Sequence, residues 1–130
     1  MELKPQKDFP YLKEYQDKFP IDEDTVFPYK DDIYSNHILP PDIYVHEVAH
    51  LEQQKNIGAD EWEKRYLKDD KFRLDQEIQA YRVQLRIVND YTKDRNKRYQ
   101  AKVKCAQALA SKLYGNIVDY QQALKLLTLN

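Results

Sequence analysis

Cysteine occurs once, at Cys105, which excludes an intrachain disulfide framework and a cysteine-rich metal site. A reducing, cytoplasmic setting is the corresponding expectation. Net charge is almost absent: 21 Lys and Arg stand against 22 Asp and Glu, a formal charge of −1. A basic footprint for nucleic acid or an anionic membrane is therefore missing, and neither is expected as a partner. No uncharged stretch is long or apolar enough to cross a bilayer. Met1 to Pro5 lead into charged residues rather than an apolar run, so no secretory signal peptide is expected. Proline is missing after Pro41, and glycine occurs only at Gly58 and Gly115.

What remains is an ordinary globular balance, 42% hydrophobic and 33% charged over 130 residues, enough for one domain around one core. Proline is costly inside helices, so the six prolines, all before residue 42, mark off an extended or β region over 1–41. Helices carrying the chemistry are expected over 42–94 and further helices over 95–130. A short helix over 9–19 is suggested by Phe9, Leu12, Tyr15 and Phe19. Segments 25–29 and 33–38 read as a hairpin turning at 30–32, with Pro28 confining the first strand to an edge or bulge. Asp42 is a candidate N-cap for a helix over 43–56 that Gly58 would end. Asp60 and Glu63 have capping-box spacing for a helix to about Leu67. Asp69-Asp70 would open a helix over 71–91, followed by helices over 97–113 and 119–127. The fold class is α+β and mainly α: a small N-terminal hairpin or sheet packed on a helix bundle.

His46-Glu47-Val48-Ala49-His50 is an HExxH sequence, and it uses two of the three histidines. Residues four apart share a helix face, so both imidazoles can reach one metal ion. Glu47, between them, can act on water rather than occupy the metal, and two His plus one carboxylate leave a zinc position open. The pattern arises by chance in about one chain of this length in a few hundred. Glu47 shares the metal-facing side with Gln53 and Gln54, while Val45, Val48 and Ala49 help form an apolar side.

The third ligand is expected on the next long helix. Leu74, Ile78, Tyr81, Leu85 and Val88 form an apolar stripe, and Glu77 falls within it, whereas Asp75 and Gln76 point away. A carboxylate facing a core is costly unless paired or metal-bound. Glu77 is thus a candidate ligand, the alternative being an ion pair with Arg73 or Arg82. Tyr81, one turn on, is a possible partner of that carboxylate or a transition-state donor, or else a plain core tyrosine. Tyr34 and His37 are weaker candidates.

HExxH with a glutamate on a downstream helix resembles the gluzincin class of zinc metallopeptidases. Ile33-Tyr34, the HEVAHLEQQ segment, Trp62, Arg65-Tyr66-Leu67, Phe72-Arg73-Leu74 and Glu77-Ile78-Gln79-Ala80-Tyr81 look like small one-domain metallopeptidases of phage and bacterial genomes. The resemblance covers about 25–90 and implies a minimal zincin-like domain. It also implies Zn2+ held by His46, His50 and Glu77, with Glu47 as general base and acid. The implied activity is zinc-dependent hydrolysis of a peptide or protein substrate, with the 25–38 hairpin lining the cleft by strand addition. The departure from the larger gluzincins is size, and a second lobe closing the cleft is not expected within these 130 residues. A non-catalytic zinc-stabilised binding or assembly module, possibly of phage kind, is the alternative, and a metal-free helical interaction domain is a further one. Trp62, Tyr66 and Cys105 read as core, and Lys93 to Arg98 as a solvated basic connection able to touch an acidic partner.

Overall fold

A computed structural model describes residues 2–128, so positions 1, 129 and 130 of the expected single domain lie outside the described residues. The chain runs β1 (Glu2–Lys4), a 3-10 turn (Gln6–Asp8), α1 (Leu12–Lys18), β2 (Phe27–Tyr29), β3 (Asp32–Tyr34), α2 (Pro41–Ile57) and α3 (Ala59–Lys68). It continues with α4 (Asp70–Tyr91), α5 (Arg95–Leu109), a 3-10 turn (Lys112–Tyr114) and α6 (Tyr120–Leu126). The class is α+β and mainly α, as the proline boundary implies. Among the described residues no helix is long and apolar enough to cross a membrane.

The hairpin forms, with Phe27 opposite Tyr34 and Tyr29 opposite Asp32. It is shorter than expected because the chain leaves the ladder at Ser35, whose Oγ accepts from the His37 amide at 3.1 Å and donates to the His37 carbonyl at 2.7 Å. β1, which the sequence reading did not foresee, pairs parallel with β3, giving the order β1-β3-β2. β2 is therefore an edge strand, and Pro28 sits where its missing N–H costs nothing. Gln54 of α2 satisfies that edge: its Nε2 donates to the Pro28 carbonyl at 2.8 Å and its Oε1 accepts from the Lys30 amide at 2.9 Å. Within the 25–38 hairpin expected to line a cleft, these two hydrogen-bonding groups are thus taken by a side chain rather than left for a substrate strand.

Several boundaries differ from the expected ones for local reasons. α2 begins at Pro41 with no side-chain cap, and Asp42 lies in its first turn, where its charge meets the positive end of the helix. Gly58, at φ 95°, ends α2 and starts α3. Asp60 caps nothing. It accepts instead from the hydroxyls of Tyr11 at 2.8 Å and Tyr29 at 2.6 Å, tying α3 to the N-terminal region. α1 is confined to Leu12–Lys18. Asp69 caps α4 by accepting from the Phe72 amide, and Asp119 forms a capping box with Gln122 on α6. α5 starts two residues earlier than expected, capped by Asp94, and stops at Leu109.

Two apolar clusters result. Phe9, Tyr15, Phe19, Phe27, Tyr29, Tyr34, Trp62 and Tyr66 join the sheet, α1 and α3, with Phe9 and Phe27 stacked at 4.3 Å. Ile78, Tyr81, Leu85, Cys105, Ala106, Leu109, Ala123 and Leu127 join α4, α5 and α6. α2 inverts the usual helix arrangement. Its buried residues are His46, Glu47, His50, Leu51 and Gln54, whereas Val45, Val48 and Ala49 of the expected apolar side are only half-buried. A helix that buries its polar face needs partners for that face.

Candidate metal centre

α2 and α4 pack side by side and bring their polar residues together between the two apolar clusters. His46 Nε2 lies 3.0 Å from Glu77 Oε1, and His50 Nε2 lies 3.2 Å from the same oxygen. All three residues are at least 95% buried, and their ligand atoms lie within 4.8 Å of one another. A tetrahedral zinc with bonds of about 2.0–2.1 Å separates its ligand atoms by ~3.3 Å, close to these spacings. The two alternatives for Glu77 fail. Arg73 donates to the carbonyls of Tyr66 and Tyr114 and to Asp70, and Arg82 donates to the Leu126 carbonyl.

The surrounding hydrogen bonds orient the histidines. Gln53 Nε2 donates to the Gln76 carbonyl, so its Oε1 faces His50 Nδ1 at 2.7 Å. Gln84 Nε2 points to the Asp42 carboxylate at 3.4 Å, so its Oε1 faces His46 Nδ1 at 2.9 Å. An amide oxygen can only accept, so both Nδ1 atoms carry hydrogen. Neutral imidazoles then turn two Nε2 lone pairs towards a carboxylate. Three acceptors converging in a buried space require a cation, either a proton or a metal ion. Tyr66 donates to Glu77 Oε2 at 2.6 Å, and His50 Nε2 lies 3.1 Å from that same oxygen, so the carboxylate faces His46 through Oε1 and His50 through both oxygens.

The protonation shifts follow from this crowding. Burial alone would lower the His50 pKa, but the Glu77 carboxylate more than offsets it and holds the imidazolium up to about 9. Burial also works against the charged Glu77, yet the His50 and His46 imidazoles bring its carboxyl well below the usual range. Glu47 lines the cavity with no side-chain partner among the described residues, and burial raises its pKa against the pull of the imidazoles. The cavity over the trio measures about 310 Å³ and is walled by Phe19, Ile21, Val26, Ile43 and Leu113, with Asp22 and Asp24 also lining it.

Other candidates fall outside the trio. The Tyr81 hydroxyl does not bond Glu77: it pairs with the Tyr114 hydroxyl at 2.7 Å, while its ring meets the His46 ring edge at 4.4 Å. Both tyrosines line the cavity. His37 Nε2 meets the Asp24 carboxylate at 2.8 Å on the exposed surface, and Tyr34 belongs to the aromatic cluster. Trp62 is core, as expected, and its Nε1 donates to Gln76 Oε1, so Gln76 does not point away. Sequence reasoning missed the role of Tyr66 and that of Gln84. Gln84 lies seven residues after Glu77, two turns along one helix face, a signal that was legible. No local signal marked Tyr66.

Gln84→Leu keeps volume near constant but leaves His46 Nδ1 unbonded, and it is expected to weaken zinc affinity about 10–100-fold in competition with a chromophoric chelator. Glu63 is fully buried: Oε2 accepts from Tyr15 at 2.9 Å, Oε1 has no partner, and burial raises the carboxyl to about 8. An acid that keeps its proton only when folded makes stability fall as pH rises from about 4.5 through 8. Glu63→Gln is therefore expected to match the parent near pH 4.5 and to exceed it by on the order of 2–4 kcal/mol at pH 8 in urea unfolding.

No protein-family model, curated protein or solved structure matches the chain.

Proposed function

We propose that this protein is a zinc-dependent metallopeptidase of gluzincin type, hydrolysing a peptide or related amide. The observation that carries the reading is the convergence of His46, His50 and Glu77 at a cavity that the unpartnered Glu47 carboxylate also lines. The HExxH pattern and the resemblance to small one-domain metallopeptidases support it. The three residues would hold Zn2+, which supplies a Lewis acid and an acidified water when bound.

The remaining work falls to the chain's own residues. Glu47, its affinity for a proton raised by burial, takes a proton from the attacking water and returns it to the leaving nitrogen. Tyr66 orients Glu77, and the two glutamines orient the imidazoles. In the Tyr81–Tyr114 pair one hydroxyl proton is used within the pair, which leaves the other for a developing oxyanion. The apolar walls exclude water from the extended peptide and accept its side chains.

The test is zinc analysis followed by cleavage of an unfolded protein substrate. Cleavage that a chelator abolishes and zinc restores is the expected result. Retained zinc with no cleavage of any unfolded or peptide substrate would favour the non-catalytic zinc-stabilised module. Failure to hold supplied zinc would remove both readings.

A further inference from the structure

A second cavity lies on the far side of α4, where it meets the first turns of α5 and the end of α6. It measures about 280 Å³, and the buried side chains of Leu85 and Leu127 form its floor. Arg95, Arg98, Tyr99 and Lys102 line the same cavity, and among the described residues no acidic side chain does. In a chain with one net negative charge, three cations around one cavity are a local excess.

Stability accounts for Arg98, whose guanidinium bonds carbonyls at the C-terminal end of α4, but not for the other cations. The N-terminal turn of a helix carries partial positive charge and favours acids, yet the first turn of α5 contains no acid and holds Arg95, Lys97 and Arg98. Asp94 is committed to capping, accepting from the Asn96 and Lys97 amides. Arg95 with Arg98, and Arg98 with Lys102, are like-charged at helical spacings of three and four, each a small destabilisation. Local choices that oppose stability collect at functional positions.

The cations are also partly fixed in place. Arg98 donates from Nε to the Thr92 carbonyl at 2.7 Å and from Nη2 to the Asn89 carbonyl at 2.6 Å. That holds its guanidinium at the cavity, with Nη1 uncommitted among the described residues. Arg95 has no ion-pair or hydrogen-bond partner among the described residues. The Lys102 ammonium lies 5.5 Å from the Tyr99 ring centre, and that ring is 55% exposed. A cation held before binding loses less freedom when the ligand arrives.

We propose that this cavity is a binding site for a small organic anion, a phosphate or carboxylate carried on an apolar or aromatic body. The oxyanion meets Arg95, Arg98 and Lys102, and the body lies against the exposed Tyr99 ring, over the buried Leu85 and Leu127. The site is independent of the metal centre and does not require it to be catalytic.

Amide-resolved NMR titration of the full chain with phenyl phosphate, benzoate, inorganic phosphate and benzyl alcohol tests it. Saturable shifts at Asn89, Tyr99 and Lys102 are expected, with phenyl phosphate acting at concentrations at least tenfold below inorganic phosphate and benzyl alcohol without effect. Whichever of phenyl phosphate and benzoate binds more tightly identifies the anion as phosphate or carboxylate. The charge-reversed pair Arg95→Glu with Lys102→Glu is expected to lose at least tenfold in affinity, and Tyr99→Ala to reduce the advantage of phenyl phosphate. Linear, unsaturating shifts, equal responses to the inorganic and the phenyl phosphate, or indifference to charge reversal would overturn the proposal.

Discussion

Glu47→Gln is expected to retain zinc while losing about 10²–10⁴-fold in peptide hydrolysis, the range over which a positioned acid-base group contributes. The amide matches the carboxylate in size but cannot accept a proton from water. Glu47 is excluded from the trio by geometry: it falls between the two histidines on α2 and is not one of the three converging side chains. Its removal therefore leaves the ligand atoms and their orienting bonds in place. Steady-state cleavage and zinc stoichiometry, measured on the same preparations, separate the two effects. If the variant cleaves as fast as the parent, Glu47 has no part in the chemistry. A parallel loss of zinc would instead make it a structural element of the centre.

The second large effect is on stability, and its pH dependence has a definite sign. Without metal, the raised His50 pKa stabilises the folded protein fully below about pH 6.5, and that contribution is lost as pH rises through about 9. The depressed Glu77 pKa contributes above about pH 4.5 and is lost as pH falls. The pair is thus most stabilising to the metal-free protein between about pH 5 and 6.5. Zinc binds neutral imidazole, so its binding must displace the His50 proton and strengthens as pH rises over the same window. The gap in melting temperature between zinc-loaded and chelator-treated protein is expected to widen from pH 6 to pH 8.5. Zinc at 100 times its Kd adds about 2.7 kcal/mol, roughly 10 °C for a domain of this size. Glu77→Ala is expected to abolish the zinc-dependent rise, because two histidines alone bind the ion far more weakly. A melting curve indifferent to zinc and chelator at every pH would mean that the trio is held together by protons alone.

The centre was legible to different depths. His46, Glu47 and His50 form a local pattern whose meaning depends only on helix geometry, and α2 is a helix. Glu77 was legible because an acid within an apolar stripe is costly wherever the helix packs. The structure brings it to the histidines, 31 residues from His46 and 27 from His50. Tyr81 was placed on the correct helix face, but its partner was not readable. The phenol reaches Tyr114, 33 residues on, because the 3-10 turn before Gly115 brings that hydroxyl to the same wall. Tyr66 had only a core signature, and its bond to Glu77 depends on how α3 lies against α4. Asp60 misled, since its spacing fits a capping box, but two tyrosine hydroxyls compete for the carboxylate and Gly58 already provides the turn.

The sequence by itself determined the proline boundary, the helical remainder, the shared face of two histidines and the exposure of one glutamate to an apolar stripe. Each depends on spacings of a few residues, over which backbone geometry is nearly constant. Tertiary structure alone decided that α2 buries its polar side and that Gln54 closes the strand edge. It likewise decided that Gln53 and Gln84 present their amide oxygens to the two Nδ1 atoms. Those outcomes depend on hydrogen-bond partners distant in sequence, which become available only when whole helices pack and water is excluded from between them.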